Sequence, residues 1–308
     1  MPVNLFASIV EDSQAAVLEF VGTVTFLLLA LGGIQAGSAA AGDSTGPPDV
    51  QQLLYISISM GLGLLVSAWL FFRITGALFN PNISLALFLV GVIKPVRFVL
   101  YCIAQLAGAI AAAALVRGLT SAPLAVNTTL SSRTSVTKGV FIEMFVTAAL
   151  VLSVLMLAAE KHESTPFAPV GIGLTLFAGL LFSGFYTGGS MNTARSFGPA
   201  VVSGFPDPHH WVYWVGPFLG SLLAALLYSL LIHYRYWTLV PNQATMNPEG
   251  SPDDPFIRAQ ALATSDKSMQ RHENPMEGGP RNTLIDNRSG AGSSGLHERE
   301  KGQNASPV

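Results

Sequence analysis

Two asparagine triplets, Asn80-Pro81-Asn82 and Asn192-Thr193-Ala194, carry the chemistry open to this chain, with Arg195 directly after the second. Each opens an apolar segment too short to cross a bilayer, set among long apolar runs. Asparagine is a strong helix N-cap, because its side-chain oxygen accepts from one of the roughly four N–H groups that a first helical turn leaves free. Its amide NH2 then remains a fixed donor. Pro81, at the first helical position, wastes no N–H and holds the helical φ. These groups include no nucleophile and no base. What they offer is hydrogen bonding to an uncharged guest.

Neighbouring residues extend the same theme. Arg195 lies about one turn inside its segment, where a buried arginine faces protein or water and presents several N–H donors. The plain alternative is a surface arginine that snorkels. Gly188 and Gly189 precede the second triplet, and Leu78 and Phe79 precede the first. Backbone carbonyls of Leu78, Phe79 and Gly188 are expected to line the guest's path. Glu19 and Glu143 each open one half of the chain and are expected to accept bonds from the re-entrant loops, with Gln105 assisting. A proton-coupled transporter would use the same acids as proton carriers.

Such groups need a frame that keeps water-like chemistry at membrane depth. The chain is 50% apolar and 11% charged, against roughly 25% charged in soluble domains. Of the 34 ionisable Asp, Glu, Lys and Arg residues, 16 lie after Pro241. Runs near 13–35, 52–72, 96–118, 138–159, 167–186 and 211–232 are long enough, or nearly so, to cross roughly 30 Å of hydrocarbon. The first run holds Glu19 and lacks a basic lead, so it does not read as a signal peptide. A net charge of -2 gives no reason to expect nucleic acid, and the lone Cys102 excludes a disulfide framework. No metal or cofactor is implied.

The same features occur twice in the same order: a glutamate-bearing span, a second span, a glycine-bearing stretch, an asparagine triplet and a last full span. Three full spans per half is an odd number, so the second half enters from the opposite side. The halves become inverted repeats, and their half-helices dip in from opposite faces. Opposed helix N-termini then place two positive dipole ends and two amide donors near the midplane. That arrangement repels cations and protons and suits uncharged solutes.

The expected organisation is a short cytosolic N-terminus over 1–11, a first repeat over 12–118 and a lumenal connecting loop over 119–136. A second repeat follows over 137–235, then a mostly disordered cytosolic tail over 236–308. The loop carries an N-glycosylation acceptor pattern at Asn127. Arg73, Lys94, Arg97, Lys161 and Arg235 share one side, which favours cytosolic termini, although Arg133 and Lys138 lie on the other. The fold class is an all-α membrane protein with six transmembrane helices and two re-entrant half-helices.

Thr75-Gly76-Ala77, Asn80-Pro81, Gly188, Asn192 and Ala194-Arg195-Ser196-Phe197-Gly198-Pro199-Ala200, with the two glutamates, resemble the aquaporin and aquaglyceroporin family over about residues 10–235. The soluble tail suggests a fungal member. The resemblance implies a right-handed bundle, a homotetramer with one pore per subunit, and an outer filter at Met60, Leu180, Gly189 and Arg195. The family motif is Asn-Pro-Ala twice. Here Asn82 replaces the first alanine and Thr193 the second proline, and Asn82 faces either the packing behind the pore or the pore itself. The filter lacks the phenylalanine and histidine of water-selective members and the aromatic set of glycerol-conducting ones. The expectation is passive conduction of water and small neutral solutes, with hydrogen peroxide, glycerol and urea as candidate passengers. A proton-coupled transporter and a structural membrane protein with a closed pore are the rivals. The plasma membrane is the expected home, an internal membrane the alternative.

Overall fold

A computed structural model describes residues 5–42 and 48–240, with Gln243 and Gln260, and side chains from Ile9 onward. Its long helices are α1 (Leu5–Ala40), α2 (Val50–Phe71), α4 (Pro95–Leu119), α5 (Val136–Val154), α6 (Ala168–Thr187) and α8 (Val212–His233). Between them lie the short helices α3 (Pro81–Leu89) and α7 (Thr193–Ser203). α5 runs on into a π-helical turn at Leu155–Ala159, and a 3-10 turn at Thr165–Phe167 leads into α6. The six long helices are each long and apolar enough to cross a bilayer.

Burial is inverted relative to a water-soluble protein. Glu19, Gln35, Gln105, Glu143, Asn192 and Arg195 are buried, while Leu29, Leu62, Leu70, Phe145, Phe182 and Leu226 face outward. An apolar exterior around a polar interior is what lipid requires, since buried polar groups must find partners inside the protein. The chain is an integral, multi-pass membrane protein.

The repeat is visible in the packing. α1 lies on α4, and α5 lies on α8, through equivalent glycines. A Cβ at Gly108 would come within 3.1 Å of the Phe20 carbonyl, and one at Gly220 within 2.5 Å of the Met144 carbonyl. Only a residue without a side chain lets the helices approach so closely, and close approach is what drives association where lipid supplies no hydrophobic force. α2 and α6 meet across the two halves at Gly61 and Gly173.

Two boundaries differ from the sequence reading. α1 is 36 residues long and already helical at Leu5, inside the segment expected to precede the first span. No breaker interrupts residues 5–12, and Asp12 is buried and paired with Arg97 of α4 at 2.7 Å, which holds this end. At its other end α1 continues through Ala36-Gly37-Ser38-Ala39-Ala40, beyond the first apolar run expected to end near 35, because alanine sustains a helix. It stops just before Gly42, whose φ is +70°. The tail expected from 236 is described only through a 3-10 turn at Tyr236–Thr238, on to Val240, and at Gln243 and Gln260. The rest of that expectation lies outside the described residues.

Candidate functional site at the junction of the two half-helices

Asn80 and Asn192 cap α3 and α7. Both are extended, with φ of -154° and -158°. Asn80 Oδ1 accepts from the Asn82 N–H at 2.9 Å. Asn192 Oδ1 accepts from the Ala194 and Arg195 N–H groups at 2.9 and 3.2 Å. With the oxygens so used, the amide nitrogens reach across. Asn80 Nδ2 donates to the Met191 carbonyl at 2.8 Å, and Asn192 Nδ2 donates to the Phe79 carbonyl at 2.9 Å. The two half-helices therefore start at one place. The Phe79 carbonyl, expected to serve the guest, gives one lone pair to Asn192.

The residues before each asparagine repeat a backbone pattern. Gly76, Ala77 and Phe79 have φ of +89°, +55° and +50°; Gly188, Gly189 and Met191 have +75°, +62° and +50°. Positive φ costs a non-glycine residue energy and persists only when surroundings hold it. Here Phe79 and Met191 are each gripped at both ends. The Phe79 N–H donates to Glu19 Oε1 and the Met191 N–H to Glu143 Oε2, at 2.9 Å for the latter. Their carbonyls are the ones taken by the opposite asparagine. Gln105 Nε2 supports Glu19 Oε1 at 2.9 Å, and Glu143 Oε1 also receives the Thr187 hydroxyl at 2.6 Å and the Ser190 N–H at 3.0 Å.

Sequence reasoning missed two anchors. The Tyr101 hydroxyl donates to the Thr75 carbonyl at 3.0 Å, and the Tyr213 hydroxyl to the Thr187 carbonyl at 2.8 Å. The two halves align from Thr75 onward with an offset of 112, which pairs Thr75 with Thr187, Asn80 with Asn192 and Tyr101 with Tyr213. Sliding the sequence by that offset would have found both tyrosines.

Asn82 and Thr193, the two motif departures, meet. Asn82 Oδ1 accepts from the Thr193 N–H and lies 2.9 Å from the Thr193 hydroxyl. Of the residues assigned to an outer filter, Met60, Leu180 and Arg195 are buried, on α2, α6 and α7. Leu180 packs on Gly189, where a Cβ would lie 2.9 Å from Leu180 Cδ2. Arg195 Nη1 donates to the Val126 carbonyl at 2.8 Å, and its Nε is buried without a protein acceptor. Arg195 also lines a cleft of 690 Å³ shared with Gln52, Leu53, Asn127, Arg133 and Gly188.

The connecting loop is thus part of the site. Gln35 holds it from α1, donating to the Pro123 carbonyl at 3.0 Å and accepting from the Ala125 N–H at 2.8 Å. Thr128 Oγ1 donates to Ser196 Oγ at 2.9 Å. Asn127 Nδ2 donates to Ser203 Oγ at 3.0 Å. Beyond α7, Asp207 accepts from the N–H groups of Leu130 and His209 at 3.4 and 2.8 Å. His210 packs edge-on to Phe205 with ring centroids 5.1 Å apart, and burial pushes its imidazole pKa below the usual value, while Asp207 pulls it the other way.

The comparisons with known proteins agree with this geometry. The Major intrinsic protein family profile matches residues 7–228. Aquaporin-1 of Laccaria bicolor is 66% identical over 262 residues, which cover 84% of each chain. Aquaporin-7 of Botryotinia fuckeliana is 48% identical over 234 residues, covering 74% of this chain and 52% of that one. Among solved structures, the aquaglyceroporin from Plasmodium falciparum superposes with a TM-score of 0.60 over 75% of this chain and 98% of its own, at 20% identity. With two capped half-helices joined inside six spans and close relatives in fungi, the chain belongs to the major intrinsic protein family of membrane channels, among its fungal aquaporins.

Proposed function

We propose that the protein conducts water and small neutral solutes, hydrogen peroxide among them, passively and in both directions. The observation that carries this reading is the use made of each asparagine amide. One hydrogen goes to the opposite loop's carbonyl, which fixes the amide plane, and the other stays free to donate. A water oxygen receiving both donors turns its own hydrogens outward, and the two helix N-termini add positive potential. Together these disfavour a proton wire and repel cations. In this reading Asn80, Pro81, Asn82, Asn192, Thr193 and Ala194 form the centre, and Met60, Leu180, Gly189 and Arg195 form the outer filter. The protein works as a homotetramer with cytosolic termini, in the plasma membrane.

A glycerol or urea facilitator is the second reading. Met60 and Leu180 are apolar walls where a tight water filter would offer aromatic and imidazole groups. Fewer donors replace less of a water molecule's hydration and leave more room for a carbon-bearing passenger. The proton-coupled reading is less favoured, because both oxygens of Glu143 and Oε1 of Glu19 are engaged in holding loops.

Reconstituted vesicles test these readings. Osmotic shrinkage, glycerol and urea swelling, peroxide entry and proton flux are measured side by side. Shrinkage and peroxide entry above empty vesicles without proton leak are expected. Solute entry that requires a proton gradient, or no flux at all, defeats the channel reading.

A further inference from the structure

The two departures from a repeated Asn-Pro-Ala answer one another. At the offset of 112, Pro81 corresponds to Thr193 and Asn82 to Ala194. A proline at 193 would carry no N–H. Threonine brings one, at the first position of α7, where no carbonyl of the same helix can accept it. Thr193 is 3% exposed, so an unpaired N–H there would be a full desolvation loss. The acceptor is supplied by Asn82, at the place where the other repeat has Ala194.

The pair is also anchored from behind. Ser221 of α8 donates to the Asn82 carbonyl at 2.9 Å, and the Thr193 hydroxyl lies 3.0 Å from the Tyr213 carbonyl as well as 2.9 Å from Asn82 Oδ1. This forms a second cross-link between α3 and α7, made by different residues from the Asn80 and Asn192 amides. Each partner is adjacent to, or two positions from, an amide-bearing cap.

We propose that Asn82 and Thr193 work as one unit, a hydrogen-bonded link that sets the spacing of the Asn80 and Asn192 amides. Asn82 is then a positioning residue for conduction. The inference rests on the channel reading, and its test separates the two.

The full-length chain is reconstituted, and water permeability is divided by the number of copies incorporated. A purely structural defect changes the copy number and leaves the per-copy value and its activation energy in place. Asn82→Ala and Thr193→Pro are each expected to lower per-copy permeability about fivefold and to raise the activation energy, while Asn82→Ala/Thr193→Pro returns to within about twofold of the parent. Thr193→Ser, which keeps both donors, stays at the parent value. The thermal midpoint in detergent follows the same order. Single variants that match the parent, or a double variant whose loss is the product of the single losses, overturn the pairing. Should a single variant not fold, folding of the double supports the pairing and its failure overturns it. Should the parent carry no water, the channel reading falls, and the midpoint cycle alone still decides whether the pair is coupled.

Discussion

Glu19 and Glu143 hold equivalent loops with unequal grips. Glu143 spends both oxygens on the Thr187 hydroxyl and the Ser190 and Met191 N–H groups, whereas Glu19 bonds through Oε1 and leaves Oε2 buried without a partner. The first repeat adds Gln105 to compensate. The second has Pro217 at that position and needs no such help.

Neutral amides should expose the difference. Glu143→Gln forces an NH2 against backbone donors and is expected to cost about 2–3 kcal/mol, while Glu19→Gln, which can place its NH2 where Oε2 lacks a partner, costs about 1 kcal/mol or less. Thermal unfolding of the detergent-solubilised protein measures both. Equal losses would contradict the asymmetry.

Leu180→His tests the proposed filter wall. The leucine packs on Gly189, so in that reading an imidazole there brings a donor and a narrower opening. The ratio of water to glycerol permeability is expected to rise about tenfold, a change worth about 1.4 kcal/mol of discrimination. An unchanged ratio would remove Leu180 from the filter.

The His210 imidazole is held below its ordinary pKa of about 6.5. The unfolded chain therefore takes up a proton before the folded one does. Stability is unaffected above the unfolded pKa and declines as pH falls below it, until the folded pKa is reached. His210→Phe should flatten this acid limb in a series of thermal midpoints between neutral and mildly acidic pH. A limb that survives the substitution assigns it elsewhere.

Asn127 carries a glycosylation pattern, yet its Nδ2 donates to Ser203 and its side chain lines the cleft that Arg195 shares. A glycan at that nitrogen would fill the cleft. The protein from a eukaryotic host is expected to show the same gel mobility before and after N-glycosidase treatment. A clear shift would show that the cleft accommodates sugar.

Much of this architecture is legible in the chain because it is written twice. Glu19 with Glu143 and Asn80 with Asn192 mark the repeat, and apolar length marks the spans. What the sequence conceals is pairing across long separations. Nothing local announces that Asn82 meets Thr193, or that Val126 in an irregular loop supplies the carbonyl for Arg195. Loop contacts follow no period, so composition labels the connector as solvent-facing and misses its part in the site. Tyr101 lay hidden for a different reason: inside an apolar span a tyrosine reads as packing until its copy at Tyr213 is seen to make the same bond. The cross-link made by one hydrogen of each asparagine amide is likewise invisible to any local pattern.

The inverted copies are not mirror-equal at their ends. Ile83, buried and apolar, stands where Arg195 stands in the other repeat, and only Arg195 is tied to the inter-repeat loop. In the proposed channel a passenger arriving from one face would meet the guanidinium first, and one from the other face would meet it last. Microscopic reversibility forbids this lopsidedness from rectifying flow. In that reading the two faces would differ toward an anionic blocker, which would reach the guanidinium from one face alone.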